Sequence, residues 1–457
     1  DQPRSRGLGD VYKRQISMNK STTVHKFGGS CLRDISDLNR IAEVIQHWPG
    51  QSVLVVSALW GTTDRLMRAS QEPRYASRLV NDLSRQHLRF APGLVEGENA
   101  KLFKAVLKGI ELSLDELSRN PQEWSATNRL LAAGERLSAL VVAHHLQKFG
   151  IQAHPVGAED ISLKLKGVNR APIVDIETSM KQLDRSALFG TPVITGWFGE
   201  GSDGELALLG RGGSDHTATS IAHLIDADKV ILWKDVDGVL PLNPRWGIAS
   251  QPIPYLGYGE AVELSRLDTP VLHPATVEPL RSIGIPLEIR DLRGVVKETA
   301  STIIGPDLHQ TRRVKAIGCL PNVVRISVQS PSLEVQSEKL GRVLVDFADE
   351  NIPCWDVESI PGCITWIVSQ HDLKIAKNIV STYFNKINTI DFGVMFSLVG
   401  NKLPEDSEGV LTNQIKQILD VEVLSVNDHA IRLISKSNEI HSMLEVLADY
   451  LQLAVEV

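Results

Sequence analysis

Residues 23–27 form a short apolar run, and the following segment places Ile35, Leu38, Ile41 and Ile45 on one helical face. Ser52-Val53-Leu54-Val55-Val56-Ser57 is again a continuous apolar run of strand length. Strand, helix and strand in that order predict a βαβ unit and a parallel sheet. Helical spacing dominates from about residue 63 to 147, where Leu130, Leu137, Leu140, Val141 and Leu146 recur, and strands resume at 192–195, 206–209 and 229–233. A polar stretch at 300–314, with Gly305, Pro306 and Arg312-Arg313, reads as a boundary.

Two smaller units follow it. The first, 314–385, has strands at 323–328 and 364–368 around a helix at 337–350. The second, 386–457, has a strand at 396–400, a helix at 409–419, strands at 422–426 and 431–435 and a last helix at 437–451. Each order suits a ferredoxin-like βαββαβ unit, so a tandem repeat is expected.

Composition narrows the class. With 457 residues, 42% of them hydrophobic, the chain can bury at least one large core and fits two or three domains. No apolar run approaches the roughly 18 residues that cross a bilayer, so no membrane role is expected. The formal net charge of −7 argues against nucleic acid as the main partner. Cys31, Cys319, Cys354 and Cys363 are scattered without a CxxC pair, as suits a reducing cytoplasm and incidental roles. Residues 1–17 lack the apolar core of a secretory signal. They read as a non-native or disordered leader, with Met18 as the natural start.

Three motifs carry candidate chemistry. Lys26-Phe27-Gly28-Gly29-Ser30 follows a strand and precedes a helix that Asp34 or Ser36 could cap. Its glycines let backbone N–H groups approach an anion, and Lys26 adds a full charge, which makes a phosphate cradle. Gly210-Arg211-Gly212-Gly213-Ser214-Asp215 repeats the device before a second helix. Arg211 can clamp a carboxylate, and Asp215 can cap the helix or bind an ammonium group. Trp233-Lys234-Asp235-Val236-Asp237-Gly238-Val239 delivers two carboxylates at a strand end, with Asn243-Pro244-Arg245 beyond. Open α/β sheets bind ligands at such ends. Smaller pieces are Ser57-Ala58 with Thr63, Gly134-Glu135-Arg136, Thr195-Gly196-Trp197-Phe198 and Val271-Leu272-His273-Pro274. His273 reads as a packing or capping residue, and no residue is assigned as a metal ligand.

In this combination and order the motifs resemble the aspartokinase branch of the amino-acid kinase family, over nearly the whole chain from His25 to Val457. The resemblance implies an α/β three-layer sandwich with a mainly parallel sheet (amino-acid kinase fold) over 18–305, followed by two ferredoxin-like α+β ACT domains. It implies transfer of the γ-phosphoryl group of MgATP to the β-carboxylate of L-aspartate, the first step toward lysine, threonine and methionine. Lys26, Gly28, Gly29 and Ser30 would hold the ATP phosphates; Ser57, Ala58, Thr63, Glu135, Arg211 and Asp215 would surround aspartate; Asp235 and Arg245 match nucleotide-side positions. Lys26 and Asp215 would be catalytic. Whether Glu135 or Asp215 reads the α-ammonium group or orders Lys26 stays open. A cytoplasmic homodimer is implied, with ATP and Mg²⁺ required and an amino-acid effector possible at the ACT domains.

Several positions depart from the family pattern. Lys234 stands for a usual Thr, Leu240 for Tyr, Asn243 for Asp and Pro270 for Lys. All lie on the nucleotide side, and Lys234 is expected to restore there the charge missing at Pro270. Pro270 and Val426-Asn427-Asp428 are similar to the kinase half of methionine-pathway bifunctional aspartokinase–homoserine dehydrogenases, and the chain carries no dinucleotide fingerprint after them. Ser330-Pro331-Ser332-Leu333-Glu334 replaces the usual small-residue turn of the first ACT unit, so weak or no inhibition by lysine or threonine is expected. The rival readings are another amino-acid kinase and a non-catalytic amino-acid sensor.

Overall fold

A computed structural model describes residues 21–73, 76–167, 172–266, 272–294, 301–308, 313–329, 333–403 and 409–453. The expectations for residues 1–17, Pro270 and Ser330-Pro331-Ser332 lie outside them. The chain divides into two compact units: 1–239 with 254–258 and 272–306, and 240–253 with 259–271 and 307–457.

The first unit is built on an eight-stranded sheet. Its strands are β1 (Thr22–Phe27), β2 (Gln51–Val56), β3 (Ala153–Val156), β4 (Thr191–Thr195), β5 (Lys229–Lys234), β6 (Tyr255–Gly257), β7 (Leu287–Asp291) and β8 (Thr302–Gly305), in the order β6-β8-β7-β5-β1-β2-β4-β3. Only the β7–β8 pair is antiparallel. Both central strands are buried along almost their whole length, which is why they read as continuous apolar runs rather than alternating ones. The expected strand at 206–209 is present as Leu206–Leu208, but it pairs with Phe198–Glu200 in a separate hairpin, outside the main sheet.

Helices cover the sheet. Asp34 caps α1 (Ile35–His47), its side chain accepting from Ser36 N and Asp37 N; of the two candidates named from sequence, it is the one whose carboxylate reaches the free N–H groups. Further along are α2 (Thr62–Gln71), α3 (Trp124–Lys148) and α4 (Gly213–Ile225). α3 packs on β2, β3 and β4, and α4 packs on β1, β2 and β5. Aromatic rings tie the central strands together: Phe27 stacks on Trp233 at 6.0 Å with the planes 4° apart, and Trp233 Nε1 donates to His25 at 3.2 Å. Burial, aided by Lys229 and Arg290, pushes the His25 pKa down to about 3, so the ring is a neutral acceptor in this core.

The second unit carries a six-stranded antiparallel sheet of β9 (Arg313–Gln329), β10 (Asp356–Ile360), β11 (Cys363–Ser369), β12 (Ile387–Asn401), β13 (Glu422–Asn427) and β14 (Ala430–Ser435), ordered β10-β11-β9-β12-β14-β13. β9 and β12 are long because each serves two cores. Residues 323–328 of β9 face 387–392 of β12 beside β11, whereas 313–321 face 394–401 beside β14. Val314, Ile317 and Cys319 accordingly share one core with Phe396, Leu433 and Leu444, and Val324 and Ile326 share another with Phe347, Trp366 and Val380. The two ferredoxin-like halves therefore exchange strands. In the same unit Arg432 is nearly buried between Glu263, at 2.5 Å, and Asp356, at 3.4 Å.

Phe27 is fully buried in the aromatic stack at the site's edge. Phe27→Ala is expected to cost about 3–5 kcal/mol, read as a lower urea midpoint in the tryptophan fluorescence of Trp233. A loss below about 1 kcal/mol would contradict the role given to this stack.

Candidate active site

The parallel strands β1, β2 and β5 end level with one another: Phe27 pairs with Val56 on one side and Trp233 on the other. The loops after β1 and β2, the loop 209–212 and the N-terminus of α4 enclose a cavity of about 580 Å³. Among the residues lining it are Lys26, Gly29, Ser57, Ala58, Thr63, Glu135, Arg211 and Asp215. These come from segments up to 189 positions apart, and the sheet register gathers them.

Asp215 sits in the first turn of α4, where a negative charge favours the helix dipole. Its side chain does not cap the helix. Lys26 Nζ lies 2.5 Å from Oδ1, and Lys234 Nζ donates to Oδ2 at 2.8 Å. Burial by itself would raise the pKa of Asp215, but the charges of Lys234 and Lys26 outweigh it and hold the carboxyl well below the usual range. Burial lowers the pKa of Lys26, and Lys234 adds to that shift against the pull of Asp215.

Glu135 behaves in the opposite way. It lies on α3, nearly buried, with Ala58 N–H donating to Oε1 at 3.2 Å, while Oε2 has no hydrogen-bond partner among the described residues. Burial pushes its pKa up to about 8, so the group is mostly protonated at neutral pH. Arg211 also lines the cavity: it is exposed and, among the described residues, has no acidic partner.

Backbone requirements explain the glycines. A Cβ at Gly29 would lie 3.2 Å from the Ala58 carbonyl oxygen, and one at Gly28 would lie 3.2 Å from Lys26 Nζ. Gly212 adopts φ 73°, and a Cβ there would come within 2.7 Å of His273 Cβ. His273 itself caps the helix Pro274–Arg281, Nδ1 accepting from Ala275 N at 3.3 Å. Ser30 contributes its carbonyl to Arg293 at 3.1 Å, and Arg293 also pairs with Asp37 at 2.9 Å, which moors the first glycine loop to α1.

Two residues expected on the nucleotide side already have partners. Asp235 pairs with Arg33 at 2.9 Å. Arg245 belongs to the second unit, where Asn243 Oδ1 accepts its N–H and its guanidinium stacks over Trp246 at 4.8 Å.

Sequence reasoning missed Arg33, Asp37, Trp60 and Arg293, and it named Trp197 only as part of a motif. Arg33 lies over the Trp60 ring at 4.3 Å, and Trp60, 56% exposed, lines the cavity. Trp197 takes a left-handed φ of 74°, a conformation costing a bulky residue about 1–3 kcal/mol. It is held on both sides: its N–H donates to Thr217 Oγ1 at 3.1 Å, and its carbonyl accepts from Leu209 N at 2.7 Å. The one signal available beforehand was position: Arg33 and Trp60 each lie within three residues of a candidate loop.

A Cβ at Gly213 would meet Trp197 Cδ1 at 2.5 Å and Leu209 Cβ at 2.7 Å. Gly213→Ala is therefore expected to destabilise the first unit by about 1–3 kcal/mol through overpacking, measured by urea unfolding. An unchanged midpoint would show that Trp197 is free to move away.

Residues 21–291 match the amino acid kinase family. Aspartokinase 3, chloroplastic, of Arabidopsis thaliana is 31% identical over 305 residues, covering 63% of this chain and 54% of that protein. The chain thus spans about half the length of that relative. Aspartokinase 2 of Bacillus subtilis is 26% identical over 431 residues, covering 90% of this chain and 98% of that protein. The crystal structure of E. coli aspartokinase III in complex with aspartate and ADP superposes with a TM-score of 0.78 at 20% identity, covering 94% of this chain and 100% of that one. That likeness fixes the fold: an amino-acid kinase fold with a mainly parallel sheet, followed by ACT-like domains with an antiparallel sheet. No helix among the described residues is long and apolar enough to cross a membrane.

Proposed function

The chain belongs to the amino acid kinase family, and we propose that within it the chain is an aspartate kinase, transferring the γ-phosphoryl group of MgATP to the β-carboxylate of L-aspartate. One observation carries the reading. The cavity joins a buried carboxyl whose Oε2 lacks a partner, at Glu135, to a guanidinium without an acidic partner, at Arg211, beside the ammonium groups on Asp215. A zwitterionic amino acid with a second carboxylate matches that set: its α-ammonium meets Glu135, its α-carboxylate meets Arg211, and its side chain reaches toward Lys26.

Asp215 is already paired with two lysines, so this reading gives the α-ammonium group to Glu135 and the ordering of Lys26 to Asp215. The β-carboxylate is ionised at neutral pH and needs no general base. One of its oxygens forms the new bond to the γ-phosphorus. The bond from that phosphorus to the β,γ-bridging oxygen breaks, and its electron pair leaves with ADP. The barrier lies in bringing two anions together, which fixed cations and the backbone N–H groups of the loops at Gly28, Gly29 and Ser30 counter.

Mg²⁺ enters as part of the substrate, neutralising phosphate charge; Asp215 and Asp235 are already engaged by cations. Among the described residues all four cysteines are free, which suits a cytoplasmic location. Homodimer formation and an amino-acid effector site on the second unit complete the reading.

Aspartate-dependent ADP release by the purified chain, with hydroxamate trapping of the acyl phosphate, tests it. Aspartate should be the preferred acceptor over glutamate and N-acetylglutamate, with little inhibition by added lysine or threonine. Preference for another acid, or no ADP release, would contradict it. The pH dependence gives a second test. Because an ammonium ligand favours ionised Glu135, aspartate binding below pH 8 releases a proton, and the aspartate KM should rise as pH falls from about 8.5 to 6.5, by at most about tenfold per unit. In Glu135→Gln that slope should vanish; a slope retained in the variant would show that another group titrates.

A further inference from the structure

Lys234 is the last residue of β5, one step beyond the Phe27–Trp233 pair, so it leaves the sheet beside Gly28 of the first glycine loop. Its side chain is 17% exposed, and its ammonium donates to the carboxylate that also holds Lys26. One carboxylate thus carries two ammonium groups, one on each oxygen.

Charge decides what this is for. Lys26 and Asp215 alone cancel, and a neutral buried pair offers an incoming anion little net attraction. Glu135, protonated at neutral pH, adds no compensating charge of either sign. The second ammonium leaves the cluster positive in surroundings where Lys26 and Asp215 are each 6% exposed. Uncompensated charge in such a place is costly unless an anion joins it. Asp215 meanwhile keeps the two like charges on separate oxygens, at fixed positions, before any anion arrives. Donors preorganised in this way stabilise developing charge without reorganising.

We infer that Lys234 is a second phosphate-binding cation, set opposite Lys26 on Asp215 and directed at the terminal phosphate of the nucleotide. The inference rests on the aspartate-kinase reading above and adds to it the residue that gives the phosphate subsite its net charge. It also accounts for a lysine at a strand end where a neutral side chain would leave the Lys26–Asp215 pair balanced.

The test uses the full chain with Lys234→Met, which keeps the apolar stem and removes the charge, and Lys234→Arg, which keeps the charge. Calorimetry would give affinities for a non-hydrolysable ATP analogue, for ADP and for aspartate. Lys234→Met is expected to weaken the triphosphate by about tenfold or more, about 1.4 kcal/mol, and to weaken ADP and aspartate by much less. Lys234→Arg should recover most of the loss. Triphosphate affinity unchanged in Lys234→Met overturns the inference. So does an equal loss for ATP analogue and ADP together with a lowered thermal midpoint, which is the signature of a merely structural ion pair. An unaltered chain that binds the analogue but releases no ADP with aspartate overturns the acceptor assignment and leaves the comparison at Lys234 valid.

Discussion

Everything in the site depends on one carboxylate. Asp215 is fixed at the start of α4 and nearly buried, yet it stays ionised because Lys26 and Lys234 approach it from neighbouring parallel strands. That arrangement requires β1 and β5 to end level with each other, α4 to begin above them, and both glycine loops to leave room for the lysine stems. The Phe27–Trp233 stack beneath holds the register in which Lys26 and Lys234 can meet one anion. Core packing and charge placement are therefore one problem here, solved at the C-terminal edge of the sheet.

The same edge carries two local costs. Trp197 sits in a left-handed conformation and Glu135 keeps a buried oxygen without a partner. Both border the cavity. Strain and unsatisfied polar groups concentrated at one place are tolerated when a ligand makes use of them. In the proposed reading, an ammonium group of the substrate supplies the missing partner of Glu135 and lowers a pKa that burial raises. For Trp197 the neighbouring Gly213 and the two backbone hydrogen bonds maintain a ring position that a relaxed backbone would not give.

Much of the fold was legible because its signals are local. Buried parallel strands read as uninterrupted apolar runs, the Asp34 cap precedes its helix directly, and paired glycines mark the two loops. Ser57, Ala58, Thr63, Glu135 and Arg211, expected around aspartate from their motifs, line one cavity with Lys26 and Asp215. What stayed hidden is non-local. The Arg33–Asp235 pair joins residues 202 positions apart, and nothing in either neighbourhood announces it. The strand exchange in the second unit was equally invisible: the pattern marks a strand only at 323–328, whereas the structure continues it back through 313–321, and the two parts face different cores. Lys234 was visible as an unusual cation, but its partner could not be read, because a lysine at a strand end can point to solvent, phosphate or acid.

The most direct test of this account is a crystal structure of the chain with a non-hydrolysable ATP analogue and aspartate bound. The account predicts Lys26 and Lys234 ammonium groups both within about 3 Å of terminal phosphate oxygens, with Asp215 between them and Glu135 on the aspartate ammonium group. A terminal phosphate touched by Lys26 alone, with Lys234 turned away to Asp215 or solvent, would contradict it.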